Sequence, residues 1–129
     1  MPTIAEDIKK LQDIGDSLPP DEVIGDLKLV TVKEGKEAEC ELLFRELAAK
    51  VKEHEKGVYY YDLYRSAQAR TYVVMAQYKN KDALQRHQRS EHGKYYFPKI
   101  RELVEKIEVT YHIGAVQLRS LQNRKVIDT

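Results

Sequence analysis

The sequence contains no tryptophan, one cysteine, four prolines and six glycines in 129 residues. A single cysteine, Cys40, excludes an intrachain disulfide, and so excludes the disulfide-stapled class of small secreted domains. No apolar run approaches the ~20 residues that span a bilayer. The first residues, Met1-Pro2-Thr3-Ile4-Ala5-Glu6-Asp7, are acidic and carry no apolar signal region. These features predict a cytoplasmic protein with no membrane partner. The metal, dinucleotide and P-loop spacings CxxC, HExxH, GxGxxG and GxxxxGK[ST] do not occur, nor does a GxSxG elbow, and no metal site is expected. Net charge is only +1, so there is no overall field of one sign to collect nucleic acid.

What is present is tyrosine: nine, against two phenylalanines. Tyrosine joins a large apolar ring to a polar tip, and suits both interfaces and aromatic pockets. The small net charge also conceals a division. Residues 1–56 carry nine Lys/Arg and fourteen Asp/Glu, or −5, and residues 57–129 carry thirteen and seven, or +6. Two halves of opposite charge are expected to lie against one another. An alternative is an anion site near Lys79–Arg101, where seven basic residues meet two acidic ones.

Periodicity divides the chain into three parts. In residues 1–22, Thr3 and Glu6 have the spacing of a capping box, and Ile4, Ile8, Leu11 and Ile14 follow at helical spacing. Gly15 is expected to end this helix, and residues 15–22 to form a linker. In residues 23–113, Val23–Lys33 reads as a strand and Lys36–Glu55 as a helix with a stripe of Leu43, Leu47 and Val51 widened by Leu42, Phe44 and Ala48. Val58–Arg65 and Arg70–Tyr78 read as a hairpin. Asn80 and Ser90 each cap a helical segment, and Pro98 is expected to interrupt the second. Ile107–Ile113 alternates as a last strand. Residues 114–129 read as a C-terminal tail, a segment that the partner subunit is able to exchange. The order β-α-β-β-α-β gives an α+β, ferredoxin-like sandwich with helices on one face of an antiparallel sheet.

Strand parity then predicts a partner. On the second strand Tyr59, Tyr61 and Leu63 share one face and Val58, Tyr60 and Tyr64 the other, and on the third Tyr72, Val74, Ala76 and Tyr78 oppose Thr71, Val73, Met75 and Gln77. Both faces are apolar or aromatic. Helices cover one, so the other is expected to pack against a second copy in a homodimer.

The residues Gly57-Val58-Tyr59-Tyr60-Tyr61, the strand closing on Gln77-Tyr78, and His87-x-x-Ser90-x-His92 together resemble the antibiotic biosynthesis monooxygenase family. Two departures stand out: Ala76 where the family often has Glu, and Gly93 where an aromatic often follows the second His. The absence of Trp separates the chain from the haem-degrading relatives of that fold. The resemblance implies a dimeric α/β barrel that oxygenates a quinol- or polyketide-like phenol with O₂, using no metal, flavin or haem cofactor. His87 and His92 are then the candidate catalytic bases, and Tyr61, Tyr72, Tyr78 and Tyr96 the candidate contacts to a small aromatic substrate.

Three other functions are open on sequence grounds. One is an isomerase or proton-transfer enzyme on a phosphorylated substrate clamped by Lys79, Lys81, Arg86, Arg89 and Lys94. Another is a non-catalytic, ligand-binding dimeric barrel. The third, an RNA recognition motif, shares the element order, but Leu27–Val32 has no aromatic and the third strand lacks the paired aromatics. Accordingly, no nucleic-acid partner is expected.

Overall fold

A computed structural model describes residues 2–115. Of the tail expected at 114–129, residues 116–129 lie outside the described residues. Four helices and four strands follow in the order α1 (Ile4–Asp16), β1 (Ile24–Val32), α2 (Glu37–His54), β2 (Val58–Arg65), β3 (Thr71–Tyr78), α3 (Lys81–Gln88), α4 (Glu91–Glu102) and β4 (Val104–Ile113). The strands make one antiparallel sheet in the order β2-β3-β1-β4. The fold is the α+β, ferredoxin-like one read from the sequence, with α3 and α4 sharing the place of its second helix.

The helix caps form as their chemistry dictates. The Thr3 hydroxyl accepts from the Glu6 amide while Glu6 reaches back to the Thr3 amide, a complete capping box. Asn80 accepts from the Ala83 amide and Ser90 from the Gly93 amide.

Several expectations need correction. Gly15 does not end α1; it lies buried inside the helix, which closes at Ser17. The buried stripe of α2 is Cys40, Phe44, Leu47 and Val51, and Leu42 is 52% exposed, because the helix is rotated toward Phe44. α4 runs unbroken through Pro98. The carbonyl that Pro98 cannot bond belongs to Lys94, a solvent-exposed residue, so water can take the missing donor's place. On β2 a register shift between Val58 and Tyr60 turns Tyr59 outward, so Val58 joins Tyr61 and Leu63 on the inner side instead.

β3 alternates as expected, with Tyr72, Val74, Ala76 and Tyr78 buried beneath the helices. On the opposite face, Leu29, Tyr60, Tyr64 and Met75 are left exposed. The two charge halves do lie together: Asp7 pairs with Arg101, Asp16 with Arg89, and Glu41 with Arg65.

Candidate functional site

α1 lies across α3 and α4 and is tied down at both ends. Near its start the Asp7 carboxylate meets Arg101 at 2.8 Å. At its end Asp16 meets Arg89 at 2.8 Å and accepts from the Gln85 amide at 3.0 Å. The hydrogen bond from Gln85 first, and that from Arg89 second, hold Asp16 below the usual carboxylate range. Between the ties, Ile8, Leu11 and Ile14 face inward over a cavity of about 340 Å³. The sheet supplies its floor through Asp26, Val30, Tyr61, Ile107, Val109 and Tyr111, and the helices its walls through Phe44, Leu47, Leu84, His87, Phe97 and Ile100. The size and the apolar, aromatic walls suit a small planar guest.

His87 is buried in this wall, at 3% exposure. Three rings surround it: Tyr61, Tyr78 and Phe97, with centroids 5.2, 5.3 and 5.3 Å away. Its Nδ1 lies 2.9 Å from Glu55 Oε1. Glu55 is the C-terminal cap of α2, where the chain turns toward Gly57. The other carboxylate oxygen is held by His92 Nε2. Burial favours the protonated Glu55 carboxyl, but the hydrogen bonds and charge of His87 and His92 outweigh it, so its pKa lies below the ordinary value. An ionised carboxylate only accepts. Nδ1 of His87 therefore carries the hydrogen, and in the neutral ring the lone pair is on Nε2.

The floor is polar at one point. Asp26 is buried, with Oδ2 held by Lys28 Nζ and 3.5 Å from the Tyr78 hydroxyl. Its Oδ1 has no hydrogen-bond partner, and neither has Gln88 Oε1, both in the cavity wall. Gln88 Nε2 meanwhile donates to the Leu11 carbonyl at 3.1 Å and to the Tyr111 hydroxyl at 3.3 Å. Burial, with the Asp26 charge second, pushes the phenols of Tyr61, Tyr78 and Tyr111 well above their ordinary value, so all three keep their hydrogens.

The predicted site residues are thus divided. His87 and Tyr61 line the cavity, and Tyr78 backs His87 from behind. His92 stands one carboxylate away from it. Tyr72 and Tyr96 do not reach it: the Tyr72 hydroxyl donates to Glu41, and the Tyr96 hydroxyl to Glu46 at 2.9 Å. The phosphate clamp does not assemble either. Lys79 is exposed, Lys81 binds the Asp16 carbonyl, Arg86 pairs with Asp82, Arg89 with Asp16 and Lys94 with Glu91, and none of the five lines the cavity. Sequence reading missed Glu55, Asp26 and Gln88. Asp26 carried a signal, a charge at an inward position between Ile24 and Val30 on one strand. Among the described residues no three His, Cys, Asp or Glu side chains are grouped so as to hold a metal ion. Among those residues, no helix is long and apolar enough to cross a membrane.

A small α+β domain with a helix-roofed aromatic cavity and a buried imidazole–carboxylate pair defines a class, and comparison with known proteins gives it a family. Residues 27–99 match the antibiotic biosynthesis monooxygenase family, and the chain belongs to it. Among solved structures, a candidate antibiotic biosynthesis monooxygenase from Caulobacter crescentus CB15 is 31% identical, with a TM-score of 0.71 over 75% of this chain and 92% of that one. A conserved protein from Methanosarcina mazei is 24% identical, with a TM-score of 0.67 over 74% and 95%. Rv0793 from Mycobacterium tuberculosis is 22% identical, with a TM-score of 0.68 over 74% and 97%. The last two share the fold. A comparison with curated proteins finds no match.

Proposed function

We propose that the protein is a monooxygenase that oxidises a quinol- or polyketide-like phenol with O₂, without metal, flavin or haem. The observation that carries this reading is His87, buried against a cavity with aromatic walls, its Nδ1–H fixed on Glu55 and its Nε2 free. In this reading Nε2 takes the phenolic proton, and the pair with Glu55 stabilises the imidazolium. An electron-rich phenolate passes one electron to O₂, and the two radicals combine at a ring carbon as a peroxide. His87 returns its proton to the peroxide, the O–O bond and the C–H bond of the peroxidised carbon then break together, and the hydroxide leaves with that hydrogen as water, which leaves a carbonyl. The Tyr61 hydroxyl, which keeps its hydrogen, is suited to hold the developing oxyanion. Asp26 Oδ1 is an unpaired acceptor, and suits a guest that donates from a hydroxyl group more than a phosphate ester.

The exposed sheet face of Leu29, Tyr60, Tyr64 and Met75 supports a homodimer in this reading, with sheet packed on sheet into the dimeric barrel. The test is O₂ uptake across a panel of hydroquinones and hydroxylated polycyclic phenols. Uptake that is lost in His87→Ala supports the reading. No turnover with any member of the panel overturns it.

A further inference from the structure

Glu55 is one carboxylate shared by two imidazoles. His87 Nδ1 lies 2.9 Å from Oε1 and 3.2 Å from Oε2, and His92 holds Oε2 through Nε2. All three side chains are nearly out of solvent, at 4, 10 and 7% exposure for His87, His92 and Glu55. One buried carboxylate balances one imidazolium. Two imidazoliums on it leave an uncompensated positive charge in a poorly solvated place, which is costly. The surroundings do little to offset that charge. Around His87 stand Phe97 and the phenols of Tyr61 and Tyr78, which hold their hydrogens. Asp26 lies beyond Tyr78 and is already paired with Lys28. On the outer side His54 stacks on His92 with ring centroids 5.8 Å apart and planes at 25°, and Glu53 lies 3.6 Å from His54, both of them half-exposed or more.

We propose that His92 is the proton-release partner of His87, coupled to it through Glu55. This deepens the monooxygenase reading and rests on it. At rest the cluster holds one imidazolium, on His92, while His87 is neutral with Nε2 free. When the guest O–H proton moves to His87 Nε2, the guest becomes a phenolate and His87 the imidazolium. His92 then gives its Nδ1 proton to water and keeps Nε2–H on Glu55. One proton enters at His87 and one leaves at His92. None crosses Glu55, which stays ionised throughout. When His87 later protonates the peroxide, His92 takes a proton back from water. The phenolate and the new imidazolium form as a pair whose positive end faces Glu55, so release at His92 removes the repulsion between two imidazoliums on one carboxylate, and this favours the proton transfer that readies the guest for O₂.

The titration of the four histidines, followed by NMR of their ring C–H groups and assigned from single His→Gln variants, tests the coupling without any substrate. In His92→Gln, which keeps a donor on Glu55 but cannot titrate, the His87 midpoint rises by about one pH unit or more. In Glu55→Gln both midpoints fall, because each imidazolium loses its counter-charge. A His87 midpoint that does not move in His92→Gln overturns the proposal, since a His92 that only props Glu55 is replaced by Gln without effect. With a quinol that the wild type oxidises, His92→Gln lowers kcat by at least about tenfold, leaves KM in place, and is rescued by added imidazole. A change in KM alone overturns the proposal. If the wild type takes up no O₂ with any quinol, the monooxygenase reading falls by itself, and the NMR titration still decides whether the two histidines are coupled.

Discussion

Gly15 of α1 sits so close to Gln88 of α3 that a Cβ on Gly15 would lie 2.9 Å from Gln88 Oε1 and 3.1 Å from a methyl of Leu84. Leu84 is fully buried and has little room to move. The close approach is what seats α1 as the roof of the cavity, because Gln88 also donates to the Leu11 carbonyl. Gly15→Leu forces the roof upward. The expected cost is about 1–3 kcal/mol of stability, the usual range for overpacking. Amide exchange should quicken along α1 while the sheet keeps its protection. Unchanged exchange in α1 contradicts the seating.

A second prediction concerns acid. Glu41 accepts two hydrogen bonds from Arg65, at 2.8 and 3.0 Å, and one from the Tyr72 hydroxyl. The Arg65 bonds first and the Tyr72 bond second hold its pKa at about 2, against an ordinary 4.5. A carboxylate depressed in the folded state contributes stability that is complete above the ordinary value and is lost as pH falls toward the folded one. Urea midpoints taken between pH 4.5 and 2 should therefore fall less steeply in Glu41→Gln than in wild type. Equal slopes contradict the assignment.

How much of this was legible beforehand follows the physics of each signal. The caps at Thr3, Asn80 and Ser90 are local hydrogen bonds written in three or four residues, and they form as read. Parity on β3 is local too and holds. It fails at Tyr59 because a register shift depends on the partner strand. Gly15 looked like a helix terminus, because glycine's role as a stop and its role as a close contact are the same in sequence. His87 was visible through its spacing to Ser90 and His92. Glu55 was not, because it is 32 residues from His87 and meets it only when α2 and α3 pack on one sheet. Tyr72 and Tyr96 were indistinguishable by residue type from Tyr61, and only the placement of Glu41 and Glu46 separates them.

The exposed sheet face yields a third prediction. Val73 is paired in register with Leu29 on one side and Tyr64 on the other, which puts it in the middle of the apolar patch. If a second copy covers this face, Val73→Glu buries a charge without a partner there, at a cost that a dimer cannot absorb. The variant should sediment as a folded monomer with an unchanged far-ultraviolet spectrum, and the wild type as a dimer. A wild type that is monomeric at micromolar concentration removes the barrel from the proposed function.

Asp26 and Tyr78 separate structure from recognition. Their contact, 3.5 Å between Oδ2 and the hydroxyl, is long, and Lys28 holds the same oxygen. Tyr78→Phe should thus change stability by about 1 kcal/mol or less. Asp26→Ala leaves the buried Tyr78 hydroxyl without its acceptor and should cost about 1–3 kcal/mol. Asp26→Asn keeps the shape and an acceptor while it removes the charge, so it reports on the guest. If Oδ1 receives a guest hydroxyl, a hydroquinone binds Asp26→Asn more weakly than wild type, because a charged acceptor makes the stronger bond. Its monomethyl ether, which has one fewer hydroxyl to donate, should lose less. Calorimetric titration of both ligands into both proteins gives the four affinities needed. Equal losses for the two ligands would place the hydroxyl elsewhere in the cavity and leave Asp26 a structural residue paired with Lys28.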